Sequence, residues 1–183
     1  MIAKKCNEKG VGFLDAPVSG SVKPAQDATL IILVGGKGDD YNKVKPLFDQ
    51  IGKLSIHLGD HGAGSSAKLA INYLLGLNLQ GLAETILFAR RQGIETKDML
   101  TIINEGACGN GITKMKSQSI LNQNFPAAFA LKHLAKDLRL AKEQGMSYPL
   151  SDPLNQTFQN ALQNGLGEED VMAVIKYLEI NNS

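Results

Sequence analysis

Gly59, Gly62, Gly64, Lys68 and Asn72 stand at fixed spacing in the stretch GDHGAGSSAKLAIN. A lysine and an asparagine at i and i+4 project from one helical face. Side by side, an ammonium and an amide can hold a hydroxyl or carbonyl oxygen between them. The glycines read as an entrance that lets backbone approach a ligand closely. The plainer reading is a solvated lysine near a helix start. Against it, helix N-termini favour acids over cations, and the neighbours Leu69, Ala70 and Ile71 are apolar.

Two further stretches carry usable chemistry. DAPVSGS, Asp15 to Ser21, reads as a strand-end loop whose hydroxyls and backbone amides could bind a carboxylate. Taken alone, it is a plain turn. AFALKHLAKDLRLA places Lys136 and Asp137 in a helix whose Leu131, Leu134, Leu138 and Ala141 could face a core. A Lys–Asp pair in that setting is ordinarily a wet face. His133 has no second His or Cys at metal-ligand spacing, so no metal site is expected.

The elements that must position these residues change character along the chain. GVGFLDAPVSG reads as a short buried strand entering a turn, and ATLIILVGG as a stronger strand closed by Gly35 and Gly36. DDYNKVKPLFDQIG reads as a helix with acids at its start and Gly52 at its end, and KLSIHLG as a third strand. Three strands make a thin sheet. From about Gly62 onward no strand is expected. SSAKLAINYLLGLNLQGLAETILFARRQG reads as one long helix with a serine cap and Gly93 as its stop. It is apolar nearly all round, which calls for burial by a partner domain or another subunit. Helices follow at TKDMLTIINEG, GITKMKSQSILN, AFALKHLAKDLRLAKEQG, DPLNQTFQNALQNG and EEDVMAVIKYLE, punctuated by Pro126, Gly145, Pro149, Pro153 and Gly165. The expectation is an α/β remnant, residues 1–60, joined by the long helix to an all-α domain, residues 61–183.

Bulk properties exclude some classes. The 183 residues carry a formal net charge of +1 with Lys and Arg scattered, which leaves no nucleic-acid footprint. Polar residues interrupt the apolar run of the long helix, so no membrane span is expected. MIAKKCNEKG lacks the apolar run of a signal peptide. Cys6 and Cys108 lie far apart and favour reduced thiols, and a cytoplasmic location is expected.

Together, DAPVSGS, GDHGAGSSAKLAIN and FALKHLAKDLRLA resemble the three ordered signatures of the β-hydroxyacid dehydrogenases, which include 3-hydroxyisobutyrate dehydrogenase and, more distantly, 6-phosphogluconate dehydrogenase. The pattern G-x-x-G-x-G-x-x-x-K-x-x-x-N is matched at every fixed position. VSGSVKPAQDATLIIL, FPAAFALKHLAKDLRLA and LGLGEEDVMAVIKYL resemble the glyoxylate and succinic semialdehyde reductase branch, where Ser21 replaces the glycine of the wider family.

The resemblance implies the last strands of a Rossmann-type sheet followed by a 6-phosphogluconate dehydrogenase-like helical domain that builds a homodimer. It implies NAD(P) as cofactor, with NADPH favoured by the branch, and a small carboxylate-bearing aldehyde or hydroxy acid as substrate. Lys68 would be the general acid-base, with its charged form disfavoured by apolar neighbours. Asn72 would hold the same oxygen, and Ser19, Gly20 and Ser21 would bind the substrate carboxylate. Phe129 would pack beside the nicotinamide, with Lys136 and Asp137 near the cofactor end of the cleft. The sequence departs from the family at its front. No G-x-G-x-x-G follows a first strand, and VGGKGDD has neither the spacing nor the right strand. The expectation is that roughly the first hundred residues of such an enzyme are absent. Two other readings stay open: 3-hydroxyisobutyrate dehydrogenase-type specificity, or a non-catalytic dimerisation module.

Overall fold

The continuous Ile/Leu/Val run of β3 (Leu30–Gly36) is the centre of a small mixed sheet, as its lack of alternation requires of a strand covered on both faces. A computed structural model describes residues 2–181 of the chain. It opens with α1 (Ile2–Glu8), followed by β1 (Leu14–Asp15) and β2 (Val18–Ser19). Both short strands pair antiparallel with β3, Asp15 opposite Gly35 and Val18 opposite Ile32. The register is the same on either side of the gap, so β1 and β2 are one strand interrupted at Ala16–Pro17. Proline has no N–H to give a ladder, but the Pro17 carbonyl still accepts from Leu33 N at 2.9 Å.

A single turn of helix, α2 (Val22–Gln26), leads into β3. From there α3 (Gly38–Ile51) crosses over to β4 (Gly52–His57), which pairs parallel with β3, the arrangement that a helical crossover permits. Ile32, Val34 and Phe48 form the core of this part, with Leu14, Val18, Tyr41 and Val44 against them. The sequence reading missed α1 and α2, both too short to show a helical period.

The long helix α4 runs for 29 residues, Ala63–Arg91. It starts ahead of Ser65 and Ser66, so neither serine is its cap. Its beginning is instead fixed by packing and by the Asp15 carboxylate. A Cβ on Gly64 would lie 2.2 Å from the Leu33 carbonyl oxygen and 3.0 Å from Gly35 N. Gly64 therefore lets the helix start against the backbone of β3. This corrects the expectation that the glycine serves approach to a ligand. Gly59 and Gly62, at φ +127° and +97°, supply the turn before it.

The chain divides into two compact units, one ending at Ile71 and the other beginning at Asn72, so the division falls within α4. The second unit is helical: the rest of α4, then α5 (Thr96–Glu105), α6 (Gly111–Asn122), α7 (Leu131–Glu143), α8 (Ser151–Ala161) and α9 (Val174–Asn181). Its core includes Leu79, Ile86, Ile120, Leu134, Phe158 and Met172, all at most 1% exposed. A chain of polar bonds ties α4, α5 and α6 together. Asn110 caps α6, accepting from the Ile112 and Thr113 amides, and its own amide donates to Asn78 at 3.0 Å. Thr113 Oγ1 donates to Asn104 Oδ1 at 2.8 Å.

Three expectations for this unit change. The helix expected from Ala128 begins at Leu131, because Ala130 instead forms a lone antiparallel bridge with Asp170. That bridge is also strand-like pairing after Gly62, where none was expected. The last helix begins not at Glu168 but at a 3-10 turn, Val171–Ala173, capped by the Asp170 carboxylate.

Candidate active site

In the first unit, the two motifs DAPVSGS and GDHGAG are joined by one side chain. Asp15 Oδ1 accepts from Gly62 N at 2.6 Å and Oδ2 from Ser65 N at 2.8 Å. These are amides that a helix start leaves unpaired, and a carboxylate there also meets the positive end of the helix dipole. Burial works against its charge, but the Gly62 and Ser65 bonds prevail and hold the carboxyl below its ordinary value. The sequence reading placed Asp15 in a loop and gave it no role, since nothing local connects positions 47 residues apart.

Lys68 lies half-buried in the second turn of α4. Of its apolar neighbours, Leu69 is buried, whereas Ala70 and Ile71 are exposed. Ser19 closes β2, opposite Ile31. Gly20 has φ +128°, where a Cβ would press on Leu30 and Pro24 at 2.9 Å. Ser21 stands at the N-cap position of α2 with no capping bond from its side chain.

In the second unit, Asn72 is 3% exposed and its amide Nδ2 donates to Asp137 Oδ2 at 2.6 Å. Asp137 Oδ1 meets Lys136 Nζ at 2.7 Å. The wet-face reading of this Lys–Asp pair is therefore corrected for one partner: the Lys136 side chain is 53% exposed but that of Asp137 only 8%. The aspartate turns inward because Asn72 offers it a buried, charge-assisted bond. Phe129 is half-buried just ahead of α7, its ring stacked on that of His133 at 6.1 Å and 15°. Lys116 and Asp170, which the sequence reading did not single out, form a buried ion pair of 2.7 Å.

Asn72, Lys136 and Asp137 are thus in mutual contact through Asp137, while Ser19, Gly20, Ser21 and Lys68 belong to the first unit. No group of three His, Cys, Asp or Glu side chains among the described residues could hold a metal ion. Cys6 and Cys108 are free thiols, and no helix among the described residues is long and apolar enough to cross a membrane. Between α4, α5 and α6 lies an open groove of about 490 Å³, walled by Leu74, Leu77, Met99 and Ile102 and bordered by Asn78 and Asn110.

The fold has known counterparts. The family described as NAD-binding of NADP-dependent 3-hydroxyisobutyrate dehydrogenase matches residues 62–178. The NAD binding domain of 6-phosphogluconate dehydrogenase matches residues 1–59. The chain belongs to the β-hydroxyacid dehydrogenase family. Among its relatives is glyoxylate/succinic semialdehyde reductase 1 of Arabidopsis thaliana, 37% identical over 94% of this chain and 61% of the relative. Another is 2-(hydroxymethyl)glutarate dehydrogenase of Eubacterium barkeri, 37% identical over 97% and 61%. A solved 3-hydroxyisobutyrate dehydrogenase from Salmonella typhimurium superposes with a TM-score of 0.87 at 26% identity, over 96% of this chain and 64% of that one. The chain thus spans about three fifths of the length of these relatives.

Proposed function

We propose that the chain supplies the substrate-binding and catalytic part of an NAD(P)-dependent reductase for a small aldehyde-acid of the glyoxylate or succinic semialdehyde class. The observation that carries this reading is the complete glycine–lysine–asparagine pattern spanning the turn into α4 and its first turns, with its asparagine fixed by a buried carboxylate. Dimerisation alone needs neither the lysine nor the asparagine of that pattern.

In this reading, residues 1–60 are the C-terminal part of a dinucleotide-binding domain and residues 61–183 the catalytic and dimerisation domain. The substrate carboxylate binds to Ser19, Gly20 and Ser21. The Lys68 ammonium donates a proton to the oxygen of the carbonyl being reduced and takes it back in the oxidation direction. Asn72 has two N–H donors, one of which is spent on Asp137, and the amide holds the same oxygen. Phe129 offers an aromatic face to the nicotinamide, and Lys136, an exposed cation, lies with Asp137 near the cofactor end of the cleft. NAD(P)H, when bound, supplies the hydride to the carbonyl carbon.

The second unit also shapes a homodimer in this reading. Leu74 on α4 and Ile102 on α5, 52% and 61% exposed, line the open groove, and Phe88 on α4 is 66% exposed. Apolar exposure of that extent is characteristic of an interaction surface. The test is oxidation of NADPH by the chain joined to a nucleotide-binding half, with glyoxylate and succinic semialdehyde offered in turn and mass measured by light scattering. Turnover of either aldehyde by a dimer supports the proposal. A dimer that binds NADPH and reduces neither overturns the substrate class.

A further inference from the structure

We propose that the buried Lys116–Asp170 pair is a positioning device for Phe129. It holds the backbone of that residue so that the ring is presented at a fixed place; the inference rests on the reading of Phe129 as a contact for nicotinamide and substrate. The Asp170 side chain is 2% exposed and that of Lys116 8%. A buried ion pair is seldom more stabilising than an apolar pair of the same volume, so burial energy does not account for it. What a carboxylate does that an apolar group cannot is accept several directed hydrogen bonds at once.

Asp170 makes four such contacts. Oδ1 accepts from Lys116 Nζ at 2.7 Å and from Met172 N at 3.0 Å. Oδ2 accepts from Ala128 N at 3.3 Å and Phe129 N at 3.4 Å. The main chain completes the hold: the Phe129 carbonyl accepts from Val171 N at 2.9 Å, and Asp170 N donates to the Phe125 carbonyl at 3.0 Å. The segment so gripped has no helix and only the one bridge at Ala130. Residues 126–128 are exposed. Its backbone is nevertheless fixed at both the N–H and the C=O of Phe129, while the Phe129 ring stays half-buried against His133. A pinned backbone carrying a partly open ring suits a side chain that meets a ligand rather than one that fills a core. Lys116, 2.7 Å from Oδ1, aims the carboxylate.

The test compares the wild-type chain with Lys116→Met/Asp170→Asn, which removes both charges, keeps the volume and leaves one acceptor oxygen. Amide hydrogen exchange reads the backbone, and the His133 ring-proton shifts read the Phe129 stack. The expected result is exchange at Ala128 and Phe129 accelerated roughly tenfold or more, with protection at Leu79 and Phe158 unchanged. The His133 resonances should move with it. Equal loss of protection throughout the helical unit, or unchanged exchange at Ala128 and Phe129, overturns the proposal. Should the double variant not fold, Asp170→Asn alone gives the same readout, and the same two results overturn the proposal. In a chain completed by a nucleotide-binding half, Asp170→Asn should lower kcat about tenfold with the aldehyde KM unchanged. Loss of the catalytic reading, seen as turnover without Lys68, leaves the exchange result standing, so the two failures are distinguishable.

Discussion

Two glycines of the same helix should respond to alanine with opposite signs. In α4 an exposed Gly→Ala change ordinarily stabilises by about 1 kcal/mol, because alanine has less backbone freedom to lose. Gly81 meets that condition: nothing lies within 4 Å of a Cβ built there. Gly64 does not. Its Cβ would lie 2.2 Å from the Leu33 oxygen and 2.8 Å from the Asp15 oxygen, where ordinary contact begins at 3.4 Å. Both obstacles are backbone, so no rotamer change relieves them, and strand or helix must move by about 1 Å. Overpacking of this kind costs about 1–3 kcal/mol or more. A 2.2 Å approach to backbone puts the cost at the upper end, about 3 kcal/mol, so against the propensity gain Gly64→Ala should destabilise by about 2 kcal/mol, a fall of roughly 4–8 °C in Tm for a chain of this size. Gly81→Ala should raise Tm by about 2–4 °C. Thermal and urea melts of both variants provide the assay. A Gly64→Ala chain as stable as Gly81→Ala would refute the packing of α4 on β3, and would revive a ligand-facing role for the glycine.

Asp15→Ala should cost about 1 kcal/mol, as loss of a helix cap does, and should flatten the acid limb of stability. The sign follows from the lowered carboxyl of Asp15. Its stabilisation is complete above the unfolded value of about 3.9 and is lost as pH falls through the lower folded one. Urea melts from pH 6 to pH 2 check this, and parallel curves for wild type and variant would contradict it. Asp137→Ala should cost about 1.5–3 kcal/mol, since it strands the buried Asn72 amide. By contrast, Asp152→Ala, which removes the exposed pair with Lys142, should change stability by less than about 1 kcal/mol in the same melts.

Much of the architecture was legible because local chemistry specifies it. The uninterrupted LIILVGG run marked β3, and the stretch GITKMKSQSILN matched α6 from Gly111 to Asn122, although the Asn110 cap that starts it was not read. What stayed hidden depends on distant partners. Pro17 splits a strand whose register is visible only once β3 lies beside it. Asp137 looked like half of a solvated pair until Asn72, 65 positions away, drew it inward. Asp170 and Lys116 are 54 positions apart, and nothing local to either marks it as half of a pair. Gly64 was noticed for the right flexibility and the wrong neighbour, since spacing alone does not say whether a ligand or a strand stands opposite. Ser19 was proposed as a site residue through its motif, and Lys68 and Asn72 through theirs together with their i, i+4 spacing on one helix.

The central claim is that Lys68 is the proton donor of a carbonyl reduction. The most direct measurement is NADPH oxidation with glyoxylate or succinic semialdehyde by the chain completed with a nucleotide-binding half, wild type against Lys68→Ala, with NADPH affinity measured alongside. The account predicts a fall in kcat of roughly 10²–10⁴-fold, with dinucleotide affinity nearly unchanged. Turnover in the Lys68→Ala chain within a few-fold of wild type would contradict it.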